Sequence, residues 1–559
     1  MIIKLNEKKP DIILITGDYY VDHPNFGIAI IARILQNQGY SIWILSLPDP
    51  ENNFEEFKNL PEPNLFFGIT GGNIDSTLNL YTVNKVKRTQ NVYIPEGFKN
   101  TAVKNASIEY SNRIRSLFKK SFIVLGGVES SNRRFAHYDF FTEKLHPSIL
   151  ENSAADIISY GMSDNTIVNI AEKIKNNKIN DIFKLNGIVH RNIEILNDIS
   201  DNEKKFICDF ETLKQKPNKF HSETEKIYNL SQSDSPYYIV QKQLKHTIIV
   251  NPPAKTLNVE EMDKIYSLPY TYKPLPETKS IIKAFETIKN TVVTHRGCGG
   301  GCSFCSITLN QGKRISERSV NNIINEIKVR KLKVVSDIQA PTSNMYGFNC
   351  KNKNYCSKNS CVYPEICHFL DIGDKKYITL LNELKKLNKK IFVASGIRYD
   401  FLSEKILSIL IKDGFIGGQM KIAPENTDNN ILKNMFKPPL KKLEEFVKLF
   451  NIKKKELKKD IYLIPYIISS YPGANIQNTK KMEKDLKRLF GQVPYQIQDF
   501  TPTPGTIATA LYYSGKVKIV KSKKERAFLR NILQEGKEYN AKIKNKKTSY
   551  KDKSKRSYK

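Results

Sequence analysis

Thr294-His-Arg-Gly-Cys-Gly-Gly-Gly-Cys-Ser-Phe-Cys305 is the stretch on which the fold turns. It sets Cys298, Cys302 and Cys305 in a C-x3-C-x2-C spacing, with Phe304 immediately before the last thiol. Three cysteines so close hold three irons of a [4Fe–4S] cluster and leave the fourth iron without a protein ligand. An open metal position is where a substrate binds, by the logic that separates catalytic from structural zinc sites. Gly297, Gly299, Gly300 and Gly301 let the backbone curl around a cluster and offer unhindered N–H groups to its sulfides. The alternative is a zinc loop, but zinc normally takes a fourth nearby cysteine or histidine and favours C-x2-C pairs. His295 could serve. A loop that starts directly after the apolar run Thr291-Val-Val-Thr294 suits a cluster at a strand end better.

Downstream of this loop the chain keeps a six-unit beat. Strands are predicted at Thr291–Thr294, Lys333–Ile338, Lys390–Ala394, Gln419–Ile422, Tyr462–Ile467 and Gln496–Phe500. Helical patterns such as Ser319–Lys331 and Tyr377–Leu387 lie between them. Parallel strands joined by crossover helices make a partial (β/α)6 barrel whose chemistry lies at the strand carboxyl ends. The loops richest in functional side chains fall there: Asp337-Ile-Gln-Ala-Pro-Thr342, Ser395-Gly-Ile-Arg-Tyr-Asp400, Ala423-Pro-Glu-Asn426, Ser469-Ser-Tyr-Pro-Gly473 and Thr501-Pro-Thr-Pro504.

Upstream, short buried strands run into glycine turns. Asp11–Thr16 ends at Gly17-Asp18, Leu65–Thr70 at Gly71-Gly72, Phe122–Leu125 at Gly126-Gly127, and Asp156–Tyr160 at Gly161, with Ser41–Leu45 a further strand. Gly27–Asn37 reads as a helix with Ile28, Ile31, Ile34 and Leu35 on one face, stopped by Gly39. These units imply a Rossmann-like parallel α/β sheet. Glu129, Arg133, Arg134, His137 and Asp139 gather after one strand end, either as a functional loop or as an ion-paired helix start. From Asn177 to Lys226 the chain turns polar around the lone Cys208, for which a packed thiol is the default. The resulting division is an α/β domain at 1–180, a polar insertion and extended linker at 181–285, the barrel at 286–520 and a basic tail at 521–559.

A chain of 559 residues exceeds one ordinary core. It carries no apolar run of about eighteen residues and no signal-peptide pattern, so no membrane contact and a cytoplasmic location are expected. Seven of its eight cysteines fall between Cys298 and Cys367, as metal ligands in a reducing compartment do. Cys350, Cys356, Cys361 and Cys367 form a second set in the loop 350–367, fit for an auxiliary Fe–S cluster or a zinc ion. Lys and Arg total 89 against 57 Asp and Glu, a net charge of +32. RNA is one partner this implies, through the basic surface and the tail from Lys542 with its Tyr550 and Tyr558. The richness in Lys, Asn and Ile that AT-rich codons favour is the other source of the charge. A non-catalytic Fe–S or zinc-bearing RNA-binding module is therefore the rival to an enzyme.

The cysteine loop resembles the signature of the radical S-adenosylmethionine (radical SAM) enzymes, and the chain as a whole resembles the YgiQ-type radical SAM proteins. The matching stretches are Thr16-Gly-Asp18 with Val21-Asp-His-Pro24, Arg133-Arg134 with Ala136-His-Tyr-Asp139, Asn251-Pro-Pro253, Thr294–Cys298, Asn344-Met-Tyr-Gly347, Ser395–Asp400, Lys421-Ile-Ala-Pro-Glu425 and Tyr512-Tyr-Ser-Gly515. The resemblance implies a [4Fe–4S] cluster on the triad, S-adenosylmethionine (SAM) on its open iron, and an electron donor of flavodoxin or ferredoxin type. Reductive cleavage of SAM would then give a 5′-deoxyadenosyl radical acting on an unassigned substrate, RNA or protein among the candidates. It implies SAM contacts from Phe304, Ala340, Ser395 and Arg398, and singles out no general acid or base. The loop that usually carries a Gly-Gly pair reads Gln339-Ala340 here. The first domain resembles the cobalamin-binding-like domain that precedes many such cores. Its Asp-x-His-x-x-Gly motif is only approximated: Asp22 adjoins His23, and Gly27 comes one residue late. His23 is thus a weak cobalt-ligand candidate, and cobalamin is not expected.

Overall fold

The computed structural model describes residues 1–352, 354–491 and 497–534. Ile12–Thr16 is buried throughout, as a run of apolar residues without alternation requires of a central parallel strand. It pairs in parallel with Ile42–Ser46 on one side and Phe66–Thr70 on the other. Parallel pairing continues through Phe122–Leu125 to Ile157–Ser159. Side chains alternate between two faces. Ile12 and Leu14 join a core with Ala29, Ala32 and Leu35 of helix Gly27–Asn37 and Ile170 of Asp164–Lys175. Ile13 and Ile15 face Tyr110 and Ile114 of helix Ala106–Leu117. The sheet is wound with helices on both sides, so its strand carboxyl ends are free to form a site.

This sheet is larger than the sequence suggests. Its ten strands include Ile188–His190, Thr247–Val250 and Tyr238–Lys242 in antiparallel succession, then Lys204–Phe206 parallel to the last. The stretch expected as a polar insertion and linker at 181–285 is therefore largely an extension of the first domain. Val189, Ile248, Ile249 and Val250 supply its buried apolar surface, and the polar residues lie on short edges and turns.

The second half begins at Thr291–Val293, parallel to Asp337–Gln339. Val334–Val335 pairs with Lys390–Ile391, and Ile397 bridges to Ile422, both in parallel. Gln419–Glu425, Tyr462–Ser469 and Ile497–Asp499 complete the run in chain order. Helices Val320–Val329, Asp374–Lys385, Glu404–Lys412 and Leu440–Glu456 close one common core over these strands, with Ile327, Leu384, Leu407 and Phe446 at its centre. Among the described residues no helix is long and apolar enough to cross a membrane.

The basic tail expected at 521–559 starts too early. Residues 523–534 are helical. Leu529 and Leu533 of that helix are 1% and 0% exposed, Leu533 against Ile467, Met482 and Leu486. The segment from Lys542, on which the RNA expectation rests, lies outside the described residues. Removing the Leu533 side chain empties a fully buried site, so Leu533→Ala is expected to cost roughly 2–4 kcal/mol. The urea midpoint of the purified protein measures this; an unchanged midpoint would mean that the helix is not docked.

Candidate functional site

The cysteine loop leaves the Thr291–Val293 strand and is gripped on both sides. Gly297 has φ +90°, and a Cβ there would sit 2.0 Å from the Arg314 carbonyl oxygen. Gly301, with φ +59°, would put a Cβ 2.0 Å from the Asn359 carbonyl oxygen. No side chain fits at either place. Further along, Ser303 donates through Oγ to the Asn434 carbonyl at 2.6 Å and exchanges a hydrogen bond with the Tyr471 hydroxyl at 2.8 Å. Cys305 leads into helix Ile307–Gln311.

Burial pushes the Cys298 thiol up and Cys305 to about 12, with Cys302 adding to both. A bare thiolate is disfavoured in this setting, and a bound cationic metal reverses that preference. The backbone N–H groups of Gly300 and Ile307 point to Cys298 and Cys305. The Arg398 guanidinium brings Nη1 to 3.8 Å from Cys302 Sγ while Nε and Nη2 grip Asp400 at 3.0 and 2.7 Å. Burial draws the Arg398 pKa down, and Asp400 more than restores it. Among the described residues, no three His, Cys, Asp or Glu side chains are gathered to hold a metal ion. The donor set nevertheless fits an anionic cluster: three thiols, inward N–H groups and a fixed cation.

At the rim, the Ala340 N–H donates to Ser395 Oγ at 3.3 Å, and Ser395 donates to Asp337. The other Asp337 oxygen accepts the Ala394 and Ser395 N–H groups at 2.7 and 2.9 Å. Ser395 thus braces two strand-end loops, with Asp337, visible in the sequence only as the start of one of those loops, as the anchor. Gln339 has a role of its own: its carboxamide oxygen accepts from Thr291 Oγ1 at 2.8 Å and from the Asn25 amide. The side chain where a glycine is usual ties the barrel to the first domain. Phe304 meets Tyr471 edge-on at 6.4 Å. Glu425, given no individual role in the sequence, is a buried carboxyl at φ +67° beside Arg398, raised by burial and held back by Lys437 and Arg398.

A cavity of about 510 Å³ lies between the two halves. Its walls include Thr16, Asp18, Thr70 and Gly126 at the first sheet's strand ends, and Gln339, Ala340 and Arg296 from the barrel. Burial lifts Asp18 to about 7 against the Asn73 N–H that it accepts at 2.6 Å. Arg296, forked onto Asp164 at 2.9 and 3.0 Å, holds the halves together beside the cavity. His23 does not line it. The ring is 1% exposed, edge-on to Tyr272 at 5.3 Å, and its Nδ1 accepts the Asn25 N–H at 3.1 Å.

The Glu129–Asp139 group resolves into a buried network. Glu129 accepts the Ser76 and Ser107 N–H groups at 2.7 and 3.0 Å, at the starts of two helices. Arg133 pairs with Asp75 at 2.7 Å and Asp139 at 3.1 Å, and its Nη1 lies 3.2 Å from His137. Arg134 stacks on Tyr160 at 4.7 Å. Cys350, Cys356, Cys361 and Cys367 all line one small cavity of about 100 Å³.

Residues 2–291 match the family model described as "Radical SAM N-terminal". A "UPF0313 protein" of Methanocella arvoryzae is 38% identical, covering 94% of this chain and 90% of the relative. The chain belongs to the UPF0313 family of radical SAM proteins. Family members from Clostridium botulinum and Thermotoga neapolitana are 37% and 36% identical, covering 94% and 92% of this chain and 85% and 92% of their own. The YgiQ-type resemblance agrees with this, and a UPF0313 protein of this kind is a radical SAM enzyme, which sets aside the non-catalytic alternative. In fold it is similar to the radical SAM methyltransferase TsrM of Kitasatospora setae. The TsrM structure with cobalamin and [4Fe-4S] cluster bound gives a TM-score of 0.53 at 12% identity, covering 89% of this chain and 73% of that one. The TsrM structure with tryptophan and aza-SAM gives 0.51, covering 88% and 74%.

Burial lowers His23 to about 3, with Arg330 adding to the effect. The unfolded chain takes up a proton near pH 6.5 that the folded protein refuses, so this stability is full above pH 6.5 and is lost down to about pH 3. His23→Gln is expected to flatten the dependence of unfolding free energy on pH between 6 and 4 by about 1.4 kcal/mol per pH unit, the weight of one proton. Denaturant titrations across that range measure it; an unchanged slope would place a charged histidine in the folded protein.

Proposed function

We propose that this UPF0313 protein cleaves SAM at the Cys298, Cys302, Cys305 loop and uses the resulting radical on a substrate held in the cavity between the two halves. The observation that carries this is that Arg398 stands 3.8 Å from Cys302 while the neighbouring rim residues Gln339 and Ala340, the latter braced by Ser395, line the cavity. The strands from Thr291 to Asp499 are taken to form a partial (β/α)6 barrel, with the chemistry at their carboxyl ends. A [4Fe–4S] cluster held by Cys298, Cys302 and Cys305 would supply the electron for reductive cleavage of SAM, the source of a 5′-deoxyadenosyl radical able to abstract hydrogen from substrate.

The chain's own residues hold, orient and exclude water. Cys298, Cys302 and Cys305 give three thiolates. Arg398, its bidentate face taken by Asp400, offers Nη1 as a single charged donor to a carboxylate near Cys302. Ala340 and Ser395 place the rim for the methionyl ammonium, and Phe304, fixed by Tyr471, forms an apolar wall for adenine. The cavity lining includes the polar Asp18 and Asn73 and the apolar Ile28 and Ile31. That lining suits a molecule with one hydrogen-bonding edge and one apolar edge. An electron donor of flavodoxin or ferredoxin type completes the cycle. Cys302→Ala is expected to abolish both 5′-deoxyadenosine formation and the brown cluster absorption after anaerobic reconstitution; full product yield from that variant would sink this reading.

Cobalamin is the second reading, favoured by the place of the cavity at the strand ends of the first sheet. TsrM binds cobalamin. His23 does not fit the role of cobalt ligand, because its ring is packed against Tyr272 and Phe285 away from the cavity lining. Any corrinoid taken up would therefore receive no histidine from this position. The visible spectrum of protein mixed with hydroxocobalamin should be the same for the parent and His23→Ala. A shift present only in the parent would restore His23 as a ligand.

A further inference from the structure

Outside the first cysteine loop, the densest gathering of unassigned nucleophiles is the set Cys350, Cys356, Cys361 and Cys367. The fold brings them together despite their spacing. Asn349–Cys350 pairs antiparallel with Leu370–Asp371. The Leu370 N–H donates to the Cys367 carbonyl at 2.8 Å, and the Cys367 N–H to the Cys361 carbonyl at 2.9 Å. All four cysteines face one void of about 100 Å³, whose remaining wall includes Ile315, Phe348, Phe369 and Leu370. Lys313 is on the same wall, 6% exposed, with its ammonium donating to the Cys356 and Lys358 carbonyls at 2.6 Å each. A buried ammonium beside four thiols is the counter-charge that an anionic metal–thiolate centre needs.

We propose that this cavity holds a second iron–sulfur cluster with all four cysteines as ligands. The choice of cluster over zinc rests on the shape of the site. Four sulfurs around one zinc lie about 2.3 Å from a single point and leave no void between them. Here all four cysteines line one open cavity of about 100 Å³. A cubane of iron and sulfide fills a space of that kind.

Four cysteines leave no iron open, so this centre does not bind substrate; it positions the first loop. The Cys361 N–H donates to the Gly299 carbonyl at 2.8 Å, and Ser360 Oγ donates to the Gly300 carbonyl at 2.8 Å. The Asn359 carbonyl is the group packed against Gly301. Three consecutive residues of the second loop therefore set three consecutive glycines of the first.

The test is metal content of the full chain after anaerobic reconstitution with ferrous iron and sulfide. A variant with Cys298, Cys302 and Cys305 all changed to Ala should keep about half the parent's iron and acid-labile sulfide. Cys356→Ala should lose the half that the triple variant keeps, and the reduced parent should show two paramagnetic signals where each variant shows one. The triple variant keeps the second loop whole, so the idea stays testable if Cys356→Ala misfolds. A triple variant that is folded by circular dichroism yet carries no iron, or carries zinc instead, overturns the proposal. Neither result touches the first cluster. Loss of that cluster alone would show as a parent with no more iron than the triple variant.

Discussion

Two carbonyl oxygens, those of Arg314 and Asn359, press on the cysteine loop so closely that only glycine fits at 297 and 301. This pinch fixes Cys298, which lies between the two points, and sets the backbone from which Cys302 directly follows. Each neighbour is itself anchored. Asn359 belongs to the second cysteine loop, and Arg314 follows Lys313, which holds two carbonyls of that same loop. On the far side, Arg296 is forked onto Asp164 of the first domain. Breaking a buried pair of that kind from one side costs roughly 3–5 kcal/mol, since the remaining charge is stranded. The reactive loop is thus the meeting point of three separate parts of the chain.

The buried charges of the first domain have a similar logic. Glu129 lies where two helix N-termini converge, which is where a carboxylate is most stable without a cation. Arg133 then has two carboxylates to itself, Asp75 and Asp139. Residues that look like chemistry in the sequence are here the framework behind the cavity. Their conspicuous clustering after one strand end reflects the cost of leaving any one of them unpaired in the interior.

Much of this was legible in the sequence. The strands Ile12–Thr16 and Phe122–Leu125, the helix Gly27–Asn37 and the parallel strands after Thr291 announce themselves by apolar runs ending in glycine turns. The extension at 188–250 hid behind lysine and asparagine, because its strands are short and antiparallel and carry few buried residues each. Its readable trace was the pair Tyr238-Ile-Val-Gln-Lys242 and Thr247-Ile-Ile-Val250, a hairpin pattern closed by the Gln243–His246 turn. The helix at 523–534 was masked by its charge, though Phe528, Leu529, Ile532 and Leu533 keep helical spacing. Asp337 and Glu425 were visible as members of strand-end loops but not in their roles, since a carboxyl's partners in space cannot be seen from its neighbours in sequence. The place of Gln339 was visible as a departure, and its reason, Asn25 and Thr291, only in three dimensions.

The cavity takes one wall from each half of the molecule, so whatever occupies it acts as a cross-link. A ligand present at a hundred times its dissociation constant would add about 2.7 kcal/mol to the docked arrangement of the two halves. Linkage makes the effect mutual. A change that loosens docking, such as loss of the bond between Asn25 on the cavity wall and Thr291, weakens the ligand in proportion as it lowers the docked fraction. Recognition of the small molecule and assembly of the reactive loop are therefore one equilibrium, observed from two ends.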